Sequence, residues 1–512
     1  MSEAPRRISR GAGRVRRVIL AVITTVLLVA LFAALSVFQL APQWTDSTGV
    51  AASSRGYNVS QRQVTSYCPA RMALSDDATY GDSEYHVSQG NIASAARYAA
   101  FGAVYQSSVG PLNADGGDET SLEDADAQGQ ADVKVAAGDA DHGARLVDTR
   151  LLQAQSGTGS AAAIAAWATK GDLKGMSAAS CVPTGLKQSF LLPDTATGTT
   201  QQLVVANPSA KATSLRVDVW GSKQTGTMTL STGRTLNVAA YGQSTLDLAA
   251  GAPDQDALFV TVSSQEAPIA AVVRVVHMDG LTSKGSDFAM PLGSSTKTTT
   301  LDGISAGDSV ALLAFSKENA TFEASWMGGS GRGKPRTAQL TAGKVSTIDL
   351  GKAPKGASAL LISSDTALQV AAKITGSGHD DSEDFALVNA VPAAASSAIV
   401  LPDKVGGDII VGNPSDGLRK ATLTAYDADG RHVGDNALKI DAHGVARLGS
   451  KDYGDNARLF VLDDNAGLQW GVRLSQDDVR NADLPDVAWL GPQPLEPRHA
   501  RVRAVPNLLT VR

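Results

Sequence analysis

Apolar and polar positions alternate with a period of two along much of this chain, as in Leu215-Arg216-Val217-Asp218-Val219-Trp220 and Ala421-Thr422-Leu423-Thr424-Ala425-Tyr426. That period places successive side chains on opposite faces of an extended strand, one toward a core and one toward water. Clusters of Gly, Asp and Asn separate the runs and supply turns. Over residues 188–292 the pattern predicts strands near 200–206, 213–220, 234–239, 243–248, 257–263, 268–277 and 287–291. Seven short strands in about a hundred residues, with a turn signal about every ten, is the density of an immunoglobulin-like β-sandwich. A β-propeller of short blades has a similar density and is the alternative.

The pattern recurs. Leu203-Val204-Val205-Ala206-Asn207-Pro208-Ser209 returns as Ile409-Ile410-Val411-Gly412-Asn413-Pro414-Ser415, and thirteen residues separate Asn207 from Trp220 just as they separate Asn413 from Tyr426. A middle copy, Leu312 to Phe315 followed by Phe322 to Trp326, has a shorter turn and no Asn-Pro. Further on, Ile269 to Val275, Leu368 to Ile374 and Leu468 to Leu474 align, and the copies close on Asp287-Phe288, Asp384-Phe385 and Asp486-Val487. Pro lacks an N–H and pushes its predecessor toward extended geometry, while Asn tolerates turns. Asn207-Pro208 and Asn413-Pro414 therefore read as a repeated strand-ending turn. Expected repeats span 188–292, 293–390 and 391–491.

Ahead of the repeats the pattern changes. Residues 18–40 are 23 positions without a formal charge, enough as a helix to cross a hydrocarbon core of about 30 Å. Residues 1–17 hold six Arg against one Glu, a charge of +5, so the formal −6 of the whole chain leaves −11 on the rest. An Arg-rich flank stays cytoplasmic, which predicts a single-pass transmembrane anchor in the cell membrane with an all-β ectodomain outside; a cleaved signal peptide is the rival. Residues 41–66 read as a spacer and 67–187 as a Cys-bounded N-terminal region. Within that region, 113–148 are so rich in Asp, Glu, Gly and Ala that they read as a solvated loop. Residues 492–512 read as a basic tail. An acidic body argues against a nucleic-acid surface.

The two cysteines, Cys68 and Cys181, lie beyond the apolar segment, where an even pair in an oxidising compartment is most simply one disulfide. Arg274, Lys373 and Arg473 align between repeats, as do Asp287, Asp384 and Asp486. A cation in an apolar strand wants a carboxylate, so one structural ion pair per repeat is expected, Arg274–Asp287, Lys373–Asp384 and Arg473–Asp486; a repeated site for an anionic polymer is the alternative. Gly328 to Lys334 fits the GxxxxGK frame of a phosphate loop, yet Pro335 replaces the Mg²⁺-holding hydroxyl and no helix pattern follows, so a hairpin is expected. The acidic loop lacks EF-hand spacing, the run Gly378 to Asp384 reads as solvated with a cation site as the alternative, and no nucleophile elbow or HExxH occurs. No catalytic residue, metal ligand or cofactor is assigned.

At Cys68-Pro69, Cys181-Val182-Pro183, Phe190-Leu191-Leu192 and Leu203 to Ser209, the chain resembles a family of uncharacterised actinobacterial, membrane-anchored proteins. It departs at 190–193, where Phe-Leu-Leu-Pro stands for a segment richer in Trp and Gly. The resemblance implies an extracytoplasmic β-rich body and a role in the cell envelope, and brings no catalytic residues. The expected function is that of a membrane-tethered structural or interaction protein, with an envelope polymer or its synthesis machinery as partner. A glycan-binding protein is the alternative and an envelope carbohydrate-active enzyme a further one. Glycan binding requires exposed aromatics on one face; the candidates are Trp220, Trp326, Tyr426, Trp470 and Trp489, although the alignment of the first three favours core positions.

Overall fold

The computed structural model describes residues 21–31, 56–74, 88–113, 119–124, 133–328, 331–379, 381–463 and 467–503. It is all-β, and its strands form open antiparallel sheets with no closed barrel among the described residues. Two compact units are present, one comprising residues 1–60 and 499–512, the other 61–498.

Within the larger unit the first repeat has eight strands. Two-faced alternation shows directly: Thr213–Gly221 buries Leu215, Val217 and Val219 and turns Ser214, Arg216 and Asp218 outward. Counting strands one to eight, one sheet runs four, three, six, one (227–238, 213–221, 258–264, 187–192) and the other five, two, seven, eight (242–247, 199–207, 270–279, 282–289). The sheets pack face to face over a shared core that includes Phe190, Val205, Val217, Val260 and Val273. The same order recurs at 296–389 and 396–490. An antibody-type sandwich also pairs its second strand with its fifth and its third with its sixth. Here the seventh strand joins the second instead of the sixth, and the first takes the place beside the sixth.

The N-terminal region carries this order too. Strands at 63–68, 93–101, 104–111, 120–121, 133–138, 145–151, 159–168 and 175–180 form the same two sheets, which makes four modules. Two sequence-based expectations change as a result. The stretch 41–66 is not spacer throughout, because Gly56–Ser60 pairs with His499–Arg503 in the smaller unit and Gln63–Cys68 opens the first module; residues 41–55 lie outside the described ones. The stretch 113–148 is not a loop throughout, because Val133 and Val147 are fully buried on strands 133–138 and 145–151. Its apolar residues are few but fall on alternate positions, and that phase matters more to a strand than mean composition.

Neighbouring modules share apolar cores in cyclic order. Tyr67 and Cys68 of the first pack with Val204 and Val272 of the second. Phe259 of the second packs with Phe315 of the third, and Leu312 of the third clusters with Trp489 of the fourth. The fourth returns to the first through Ala398, Val400 and Leu459 against Ala161, Ala163 and Trp167. Arg97, almost fully buried, seals this last contact by donating to the Ala428 carbonyl at 2.7 Å and to the Asp403 carboxylate. The eighth strands of all four modules, 175–180, 282–289, 383–389 and 488–490, adjoin one another at the centre. Gln61 N donates to the Arg498 carbonyl at 2.8 Å, so the ends of the larger unit meet.

Residues 21–31 are helical. No helix of the described residues is long and apolar enough to cross a membrane; residues 18–20 and 32–40 of the expected anchor lie outside them.

Candidate functional site

The repeated turn holds one bonding pattern at both places. Asn207 and Asn413 are both completely buried. The Asn207 amide donates to the carbonyls of Lys211 (2.7 Å) and Ala239 (3.0 Å), and its Oδ1 accepts from the Ser209 amide (3.1 Å) and hydroxyl (2.6 Å). Asn413 donates to Gly417 (2.8 Å) and Asp441 (2.9 Å) and accepts from the Ser415 amide (3.0 Å) and hydroxyl (2.7 Å). Each Asn ties the turn after strand two to the corner before strand five, satisfying backbone groups that would otherwise be buried bare. Pro208 and Pro414 follow each Asn and hold it extended. In the third module Ser316 stands in this place, its hydroxyl accepting from Glu318 N at 3.1 Å. The role is structural.

Cys68 and Cys181 are disulfide-bonded and buried, closing the first strand of the first module onto the end of its eighth. In the chain-entropy account a loop of that length stabilises by about 4–5 kcal/mol.

The expected ion pairs do not form as aligned. Register explains the first two: Arg274 lies opposite Phe288 while Asp287 lies opposite Val275, and Lys373 lies opposite Leu387 while Asp384 lies opposite Gly376. Acid and cation thus sit on opposite faces of the same sheet. Arg274 instead lies within electrostatic reach of the buried Tyr67 hydroxyl, its Nε without a partner and its charge disfavoured by burial. Lys373 places its ammonium 4.6 Å from the Phe385 ring centre, and burial lowers its pKa. Arg473 does form a pair, but with Asp308 of the third module (2.6 Å), and it also donates to the Gly303 carbonyl (2.9 Å). Asp486 lies 3.6 Å from Arg480 and accepts from Gln476 N.

The two remaining acids are at the centre, where modules meet. Asp287 accepts from Leu387 N of the third module (2.8 Å) and Ala178 N of the first (3.3 Å). Asp384 accepts from Met176 N of the first module (2.8 Å) and Val487 N of the fourth (3.4 Å). Both are fully buried; desolvation pushes Asp287 up to about 8 and Asp384 well above the carboxylate range, their backbone hydrogen bonds offsetting only part of it. The chain opens room for Asp384 with Gly175 (φ +115) and Gly285 (φ +102), where a Cβ would stand 2.7 and 2.6 Å from its carboxylate.

Gly328 and Gly331 pair across a hairpin, and Gly333 N donates to the Trp326 carbonyl. No group of three or more His, Cys, Asp or Glu is placed to hold a metal ion among the described residues. Trp470 and Trp489 are buried; Trp220, Trp326 and Tyr426 are half-buried.

One face offers concavity. The three inter-module linkers, around Pro183, Pro291 and Pro392, and the segment after the fourth module, around Pro492, wall a depression of about 490 Å³ over the junction. On one side it shares Pro183, Gln493 and Arg498 with a hollow of about 330 Å³ beside Thr65 and Ser160. On the other it shares Lys187 with a groove of about 550 Å³ between the second and third modules. In that groove the Phe259 and Phe315 rings stack at 4.0 Å, and Trp220 leans on both at 5.4 and 5.6 Å. Lys187, Lys297 and Lys317 surround it. Sequence patterning had pointed to Trp220 alone; the lysines come from different strands and linkers, so no spacing signals them.

No curated protein matches the chain. The family profile that does match starts within the first module and stops within the fourth, spanning strands of all four. On that match to residues 95–449, the chain belongs to DUF5719, a family of unknown function.

Proposed function

We propose that this chain is a membrane-tethered, extracytoplasmic interaction protein of the cell envelope, working by contact and without catalysis. Its modules are read as divergent immunoglobulin-like sandwiches in which the first and seventh strands have exchanged sheets. The observation that carries the tether is the helix at 21–31, which turns Val22, Ile23, Val26, Leu27, Leu28 and Leu31 outward, each more than half exposed. Such a surface costs about 25 cal/mol per Å² in water and is relieved in hydrocarbon. The uncharged segment 18–40 extends it and the Arg-rich start orients it. The buried Cys68–Cys181 disulfide fits an oxidising compartment.

Alkaline carbonate extraction of membranes carrying the full chain tests this. The protein is expected to stay with the pellet, Leu27→Arg with Val26→Arg to release it, and Cys68 and Cys181 to resist maleimide until reduced. Release of the parent chain by carbonate, or labelling of both cysteines without reductant, would overturn the proposal.

A further inference from the structure

We propose that the trench formed by the three hollows binds an anionic saccharide polymer along its length. The assignment rests on the interaction-protein reading and names the class of partner. Extent is the first argument: three hollows in series, joined by shared walls at Lys187 and at Pro183 to Arg498, suit a chain better than a compact metabolite. Charge is the second. Lys187, Lys297, Lys317 and Arg498 are exposed along the trench, and none forms a salt bridge among the described residues. Three carboxylates, Glu318, Asp365 and Glu496, also stand on the walls, Asp365 accepting from Thr321 N and Glu496 from Ala395 N, so four cations against three carboxylates leave the trench a net charge of +1. On a chain of net charge −6, a run of unpaired cations in a concave surface focuses attraction on an anion. Surface chemistry is the third. Trp220, partly exposed over Phe259 and Phe315, presents a flat apolar face of the kind a sugar ring covers. Ser189 and Thr261, 3.1 Å apart, offer hydroxyls beside it, as do Ser295 and Thr366.

The full chain in neutral detergent micelles is titrated calorimetrically with polygalacturonate oligomers, neutral dextran and polyglutamate. Polygalacturonate is expected to bind, and to weaken about tenfold when salt rises from about 50 to about 500 mM, because exposed charges are screened. Dextran and polyglutamate are expected to bind at least tenfold more weakly, on the order of the discrimination that charge and surface together supply. The triple variant Lys187→Gln, Lys297→Gln, Lys317→Gln should lose about tenfold, whereas Lys211→Gln, Lys420→Gln, Lys439→Gln, on exposed strands and turns elsewhere, should lose nothing. Unchanged thermal midpoints separate lost binding from lost folding, and Lys297→Gln alone, expected to lose about twofold, serves if the triple is unstable. Absence of binding by the parent, equal loss in both triples, or dextran or polyglutamate binding as tightly as polygalacturonate would each overturn the assignment. The titration does not depend on the membrane segment, so its failure leaves the tether intact, and failure of carbonate retention leaves the trench intact.

Discussion

Asn207 and Asn413 make matching hydrogen bonds in two modules, whereas Asp287, Asp384 and Asp486, aligned just as regularly, face three different sets of neighbours. The turn is closed within one module: every group that Asn207 touches lies between residues 207 and 239. Repetition of sequence therefore produces repetition of contacts. Asp287 and Asp384 sit on eighth strands, which meet other modules, while Asp486 precedes its eighth strand and meets Arg480 and Gln476 of its own module, so positions aligned in sequence meet non-equivalent partners. A repeat is thus conserved in its interior contacts and individual at its interfaces.

The sharpest way to break this comparison is through the aligned cations. Arg473→Met strands the nearly buried Asp308 carboxylate and should cost about 3–5 kcal/mol, whereas Arg274→Met removes a charge with no carboxylate and should be neutral within about 1 kcal/mol or stabilising. Denaturant midpoints of the two variants check this, and equal losses would restore the idea of one ion pair per repeat. Next in size, Asn207→Ala and Asn413→Ala each leave buried carbonyls bare, and should destabilise their own modules by about 3 kcal/mol, equally within about 1 kcal/mol. Unequal losses would show that the turns differ in ways their bonds do not reveal.

The acids make stability depend on pH. In the folded chain Asp287 keeps its proton up to about 8, and burial holds Asp384 protonated well above the usual carboxylate range. The unfolded chain releases both near pH 4, so the folded state binds more protons above that point and stability falls as pH rises. Each group contributes a slope of about 1.4 kcal/mol per pH unit, and for Asp287 the loss levels off once it ionises in place. Unfolding midpoints between pH 5 and 8 should decline, and Asp287→Asn should flatten the decline. The smallest effect is expected at Ser316→Ala in the third module, about 1 kcal/mol, because that hydroxyl supports one amide where Asn supports several groups.

Much of the fold was legible. Period-two alternation located the strands of the first repeat, and the Asn-Pro spacing related the second module to the fourth. The first module escaped notice because acidic residues between strands lowered its mean hydropathy, while strand phase survived in Val133, Val135 and Val147. The ion pairs failed for a different reason: alignment records position along a strand, but register decides which face a side chain takes. Arg274 and Asp287 lie on neighbouring strands and never meet. The exchange of first and seventh strands, the cyclic closure and the trench depend on contacts between distant segments, which no local pattern carries.

Hydrogen exchange resolved to single amides tests most directly whether the centre belongs to all four modules at once. The donors that reach Asp287 and Asp384 from other modules are Met176, Ala178, Leu387 and Val487, drawn from the first, third and fourth modules. They should share one protection level, that of global unfolding, while Ser209 and Ser415 open separately with their own turns. If Met176 and Ala178 exchange with the rest of the first module, and Leu387 and Val487 each with theirs, the centre is a set of separate contacts and the account is wrong.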